Sequence, residues 1–207
     1  MTNRKMRFSI RELALVAVLA AIAAVLFMLE IPIVLFYHLD FSNLPVLLGT
    51  FSMGPLAGTM ILAIKSLLGL LHSTSQGVGE LADFIMGFAM LLPAGLIYKH
   101  DKSRRSALWG MVAGTLLATL AGVLTNLYLL IPFYGAVYHL PVEQIIAMGQ
   151  ALIPSLDSIF KFVLMITAPF NLVKWIVITV LTYLIYKPLS PLLHGASGTA
   201  GRSVKGA

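Results

Sequence analysis

The chain has 207 residues, of which 59% are hydrophobic and 11% charged, with a formal net charge of +6 and no cysteine. A soluble globular domain carries about 25% charged residues, so a water-facing surface cannot be built from this composition. Disulfides, thiolate metal sites and thiol catalysis are excluded with it.

Basic residues sit beside apolar runs, which is a topology signal and not a nucleic-acid surface. Only helices and closed barrels satisfy their backbones in lipid. Barrel strands alternate over about 10 residues, whereas the runs here are continuous in Leu, Ala, Ile and Met. The expected fold class is therefore an all-α integral membrane protein. One six-transmembrane-helix bundle should occupy residues 1–190, with cytoplasmic N- and C-termini and a flexible tail over 191–207.

Residues 1–11 are basic like the start of a signal peptide. The apolar run behind them is too long and lacks a convincing cleavage site, so a retained first helix is expected over 9–30. Ser9 should cap it and Glu30-Ile31-Pro32 should end it. The connector Tyr37-His38-Leu39-Asp40-Phe41-Ser42-Asn43 has no Lys or Arg. Residues 44–71 are apolar apart from Lys65 and are broken at Gly54-Pro55. As one kinked helix they give five spans; as a hairpin they give six, over 42–53 and 55–71. Further spans are expected over 80–98, 107–131 and 168–187. The segment 132–169 holds short apolar pieces interrupted by Gly149, Pro154 and Asp157.

Charge placement favours six spans. In that arrangement Arg4, Lys5, Arg7, Arg11, Lys99, Lys102, Arg104, Arg105, Lys187, Arg202 and Lys205 share the cytoplasmic side. The outer connections then hold no Lys or Arg other than Lys161. The cost is length, because 42–53 gives about 18 Å of helix against about 30 Å of hydrocarbon.

Ionisable and amide groups at membrane depth are expensive and mark candidate sites. They are Glu30, Lys65, Glu80, Asp83, Asn126, Asn171 and Lys174, and six spans bring them towards the outer half of the bundle. Asn171 and Lys174, three residues apart, share a helix face. Each alone reads equally well as an interhelical hydrogen bond; together they read as a ligand pocket. Phe36, Tyr37, Phe41, Tyr128, Phe133, Tyr134, Tyr138, Phe170 and Trp175 surround the region. Most are ordinary interfacial aromatics, although such a pocket suits a flat heteroaromatic ligand.

Other chemistries find no support. His38, His72, His100, His139 and His194 fall singly, so no metal site is expected. No nucleophile motif lies on a span and no catalytic residue is expected. Gly77-Val78-Gly79 lacks the Lys of a phosphate loop, so the chain has no ATP site of its own. Ala17/Ala21, Ala20/Ala24 and Gly54/Gly58 have the four-residue spacing of close helix packing. That spacing fits contacts within the chain or a docking surface for another membrane subunit.

Several motifs together resemble the riboflavin-specific S-component of energy-coupling factor (ECF) vitamin transporters. They begin with Leu39-Asp40-Phe41-Ser42-Asn43-Leu44-Pro45 and Phe51-Ser52-Met53-Gly54-Pro55-Leu56-Ala57-Gly58. Gly77-Val78-Gly79-Glu80-Leu81-Ala82-Asp83-Phe84 follows. The two most distinctive stretches are Asn126-Leu127-Tyr128-Leu129-Leu130-Ile131-Pro132-Phe133-Tyr134-Gly135 and Ala168-Pro169-Phe170-Asn171-Leu172-Val173-Lys174. The likeness runs in order from the first helix to about Lys187.

The resemblance implies six helices and riboflavin bound near the extracellular face of a bacterial cytoplasmic membrane. It also implies a transmembrane coupling subunit and two ATPase subunits as partners, with no cofactor beyond the transported ligand. Asn126, Asn171 and Lys174 are implied to bind the isoalloxazine ring. The connector at Leu39, Asp40 and Phe41 is implied to be a lid, and Ala17, Ala20, Ala21 and Ala24 a docking face. Glu80 and backbone groups near Leu39 and Asp40 are candidates for the ribityl hydroxyls. Asp83 departs from the family pattern, which has Asn after Ala82. The rival readings are an S-component for another vitamin such as a folate or pantothenate, an intramembrane enzyme, and a stand-alone channel or secondary carrier.

Overall fold

The computed structural model describes residues 8–194. Arg4, Lys5, Arg7, Arg202 and Lys205, and the tail beyond 194, lie outside the described residues. Helix α1 spans Ile10–Met28. Ser9 caps it in a reciprocal box: the Glu12 backbone N–H donates to Ser9 Oγ at 3.2 Å, and the Ser9 N–H donates to Glu12 Oε2 at 2.8 Å. Two orphan donors of the first turn are thereby satisfied.

The connector after α1 is a short antiparallel hairpin, β1 (Ile31–Val34) with β2 (Tyr37–Leu39). Helices α2 (Asn43–Met53) and α3 (Pro55–Gly69) follow, the second extended by the turn Leu70–His72. They are separate helices because Gly54 sits at φ +98°, a conformation L side chains avoid, and Pro55 then supplies a first helical residue that needs no N–H donor. They fold back on each other. Lys65 reaches Ser42 and Asn43, Gly49 lies against Ile61, and Gly58 lies against Thr50.

Helix α4 (Val78–His100) and a 34-residue helix α5 (Arg104–Val137) form the closest pair. A Cβ on Gly114 would lie 2.5 Å from the Met90 carbonyl oxygen, so only glycine permits this approach. Helix α6 (Val142–Gln150) is short. Helix α7 begins with Ile159–Phe162, passes through Val163–Thr167 and continues as Ala168–His194.

Both α5 and α7 are longer than the expected 107–131 and 168–187, for one physical reason. Pro132 and Pro169 read in sequence as helix limits. Each instead follows a wide π turn, Asn126–Leu130 and Val163–Thr167. The Ile131 N–H donates to the Asn126 carbonyl and the Ala168 N–H to the Val163 carbonyl, five residues back. The widened turn makes room for the proline ring that follows, so the helix passes through. Residues 191–194, assigned in sequence to the tail, continue α7.

Five of these helices are long and apolar enough to cross a membrane, and α2 is a shorter apolar helix. Large apolar side chains face outward along them, among them Leu116, Leu184 and Trp109. That pattern suits lipid as the solvent and not water. The main core gathers α1 to α5 and α7 around Val16, Leu47, Ile61, Leu91, Met111, Trp175 and Ile178.

Candidate ligand-binding site

One end of the bundle is built from polar side chains. Asp40, just after β2, accepts from the Ser42 N–H at 3.0 Å and from the Ser42 hydroxyl. This Asx-type turn delivers the chain into α2. From α7, Lys174 Nζ reaches Asp40 Oδ2 at 2.7 Å and lies 3.8 Å from Asp83 Oδ1. From α3, Lys65 Nζ donates to Asp83 Oδ2 at 2.6 Å, to Ser42 Oγ at 2.8 Å and to Asn43 Oδ1 at 3.3 Å. Asn43 Nδ2 returns to Asp83 Oδ1 at 3.2 Å. Lys65 is fully enclosed, and its ammonium also lies 4.9 Å from the Phe27 ring centre.

Two lysines and two aspartates thus form one buried, charge-balanced network that ties α3, α4 and α7 to the start of α2. Burying any one of these charges alone would cost several kcal/mol, roughly, and the partners offset it.

Beside this network a second set of contacts joins the two π turns. The Tyr37 hydroxyl donates to Asn126 Oδ1 at 2.9 Å and bonds Thr167 Oγ1 at 2.5 Å. Asn126 opens the first π turn and Thr167 ends the second, so one residue of the β-hairpin ties both together. Asn126 Nδ2 donates to the Gly122 carbonyl at 2.8 Å, and Asn171 Nδ2 to the Thr167 carbonyl at 3.0 Å. A Cβ on Gly122 would lie 2.8 Å from the Asn171 side chain, so that glycine seats the amide between α5 and α7. Asn171 Oδ1 makes no hydrogen bond among the described residues. Tyr37 also stacks on Phe170 at 5.1 Å, and Phe36 meets Tyr134 edge-on at 6.0 Å.

These groups line a cavity of about 670 Å³. That volume lies in the range of pockets that bury a whole small molecule. Asp40, Glu80, Asp83, Asn126, Asn171 and Lys174 all line it, with Phe27, Phe36, Tyr37, Tyr134, Tyr138 and Phe170 among the aromatics. On the α4 side, Glu80 Oε2 accepts from the hydroxyls of Ser73 and Ser75 at 2.9 Å each. Those serines in turn receive the Gly77 and Gly79 N–H groups, at 2.8 and 2.9 Å. Tyr138 donates to the Thr74 carbonyl at 3.1 Å, joining the end of α5 to this loop. Among the described residues no cluster of His, Asp and Glu could hold a metal ion.

Two expectations need correction. Leu39 and Phe41 do not line the cavity: Leu39 is half-buried in β2, and Phe41 packs on the main core. Ala20 cannot face a partner, because it is fully enclosed by this chain's own core; Ala17 and Ala21 are exposed and Ala24 is half-buried. Asp83, where the family pattern has Asn, lines the cavity as its place among the candidates led one to expect, and it is also the closest anion to Lys65.

Tyr37, Ser42, Asn43 and Thr167 are contributors that sequence reasoning did not assign to the site, whereas Lys65 stood among its candidates. Tyr37 resembles any interfacial aromatic until its hydroxyl is seen to be enclosed. The polar run from Asp40 to Asn43 ahead of an apolar helix was the available signal.

Comparisons with known proteins agree with this architecture. The family model described as "ECF transporter, substrate-specific component" matches residues 11–186. The riboflavin transporter RibU of Staphylococcus aureus is 32% identical over 191 residues, covering 88% of this chain and 92% of that protein. The riboflavin transporter FmnP of Bacillus subtilis is 30% identical, covering 89% and 95%. A solved structure of the S component of a bacterial ECF transporter superposes with a TM-score of 0.68 at 32% identity, over 88% of this chain and 96% of that one. With its apolar helices, a cavity that polar side chains from several of them line, and a family match along nearly all of its described length, this chain belongs to the substrate-specific components of ECF transporters, a family of multi-pass membrane proteins.

Proposed function

We propose that this chain captures riboflavin at the extracellular side of a bacterial cytoplasmic membrane and hands it to an ATP-hydrolysing ECF module. That module would comprise a transmembrane coupling subunit and two ATPase subunits. Relatives named as riboflavin transporters along most of their lengths support the ligand. The observation that carries the reading is the cavity itself, where Asn126, Asn171 and Lys174 meet Tyr37 and Phe170.

The pyrimidine edge of a flavin alternates carbonyl acceptors with an N–H donor, and a side-chain amide offers both functions. Asn171 Oδ1 is free to accept the ring N–H. Asn126 keeps one N–H beyond the one given to Gly122. Lys174 can donate to a ring carbonyl or nitrogen while held by Asp40. The dimethylbenzene side of the ring suits the aromatic wall, and Glu80 and Asp40 can accept from ribityl hydroxyls.

In this reading α2 and α3 each cross, giving six passages, and the basic residues near Lys99–Arg105 face the cytoplasm with both termini. The connector from Tyr37 to Asn43 acts as the lid, latched by Tyr37 on the π turns and by Asp40 on Lys174. The exposed Ala17 and Ala21 on α1 offer a docking face for the coupling subunit.

The test is the colour of the protein. Material purified from flavin-containing cells should carry flavin absorbance, lost on unfolding and regained with added riboflavin. A colourless protein indifferent to riboflavin would overturn the reading. Transport by the chain alone in liposomes would favour a secondary carrier.

A further inference from the structure

The ionisable lining of the cavity is out of balance. Glu30, Asp40, Glu80 and Asp83 all line it, while Lys174 is the single Lys or Arg among the lining residues. Lys174 is held by Asp40 at 2.7 Å, and Lys65, behind the wall, is held by Asp83 at 2.6 Å. The two lysines therefore answer the two aspartates. Glu30 and Glu80 are left over, matched by no lysine or arginine of the lining.

The two glutamates differ. Glu30 lies at the rim, 3.1 Å from His38, and both are substantially exposed. Glu80 is 7% exposed, and its partners are two serine hydroxyls, which stabilise a carboxylate without cancelling its charge. It also stands in the first turn of α4. Gly79 and Glu80 both line the cavity, so this helix N-terminus would otherwise attract an anionic group. The Glu80 carboxylate already occupies that place.

We propose that Glu80, assisted by Glu30, is a specificity-determining residue that restricts the cavity to uncharged ligands and rejects phosphate esters of the flavin. The inference rests on the riboflavin reading and adds the charge rule to it. A phosphate monoester brings a charge of about −1.5 to −2 at pH 7. Here it finds no unpaired lysine or arginine in the lining, and low-dielectric walls focus the surplus field onto it. Carboxylate-bearing vitamins meet the same barrier.

The experiment compares affinities for riboflavin and riboflavin 5′-phosphate in the full-length protein, purified and stripped of flavin. Wild type, Glu80→Gln and Glu30→Gln are measured at low and high salt. The amide that Glu80→Gln introduces keeps an oxygen to accept from Ser73 and Ser75, so the loop is preserved. Wild type should prefer riboflavin by at least about tenfold, and Glu80→Gln should narrow that ratio by about tenfold, whatever it does to riboflavin itself. Glu30→Gln should narrow it less, and salt should narrow the wild-type ratio more than that of Glu80→Gln.

If Glu80→Gln does not fold, Asp40→Asn serves in its place, because releasing Lys174 should narrow the same ratio. Equal affinity of wild type for both flavins, or a ratio unmoved in the variants, overturns the charge rule while leaving the riboflavin reading intact. Failure of wild type to bind riboflavin at all overturns both.

Discussion

The two ends of the bundle use the same helices for opposite purposes. At one end Phe51, Tyr98 and Tyr186 pack together, with ring centres 5.1 to 5.9 Å apart and the two tyrosine hydroxyls bonded to each other. From there α4 and α5 close through Gly110 and Gly114 until backbone meets backbone. At the other end α5 and α7 each widen into a π turn, and polar side chains from α3, α4, α5 and α7 converge. Small residues and rings leave no space; wide turns and charge pairs hold a cavity open. The close-packed end fixes the helices so that the open end can keep its polar groups poised at the cost of local stability.

Breaking the charge network should have the largest effect. Lys65→Ala leaves Asp83 buried without its closest cation and should lower stability by about 3–5 kcal/mol, read as a fall in thermal midpoint. A Lys65→Met, Asp83→Leu pair should recover much of that loss while abolishing ligand binding. If the single change is harmless, the network does not hold the open end together.

Next, Gly114→Val at the close-packed end drives a side chain into the Met90 carbonyl. It should cost about 1–3 kcal/mol of stability and leave the ratio of riboflavin to phosphate-ester affinity unchanged. An altered ratio would mean that the two ends are not separable.

Asn171→Ala should cost about 1–3 kcal/mol of riboflavin affinity, by leaving ligand groups unpaired, with a smaller change in the thermal midpoint of the ligand-free protein. Tyr37→Phe should have the smallest effect, weakening binding by about 1 kcal/mol because the π turns lose their shared hydroxyl. Its signature is faster ligand release, measured by competition, with the aromatic stack on Phe170 retained.

Much of this contrast was legible in the residues. Ser9 with Glu12 marks a capped start, and Gly54-Pro55 marks a break that neither a strand nor one continuous helix explains. Asn126, Asn171 and Lys174 stand out because amides and ammonium groups are costly among so many apolar neighbours. Partner choice was not legible. Nothing in sequence spacing tells Lys65 to choose Asp83, or Lys174 to choose Asp40, since both pairings depend on how α2 folds back. Pro132 and Pro169 misled because a proline signals an end only when the preceding turn is α-helical. Ala20 shows the same limit: four-residue spacing identifies a close-packing face but not whether the partner is this chain or another.

The central claim is that this cavity is a flavin site. It is tested most directly by Trp175 fluorescence in a Trp109→Phe background, where the remaining indole lies next to Lys174 in the chain and is fully enclosed. Riboflavin titrated into flavin-free protein should quench this emission saturably at one ligand per chain, and Asn171→Ala should shift the curve about tenfold or more to higher concentration. Emission that does not respond to riboflavin, or that responds identically in Asn171→Ala, would contradict the account.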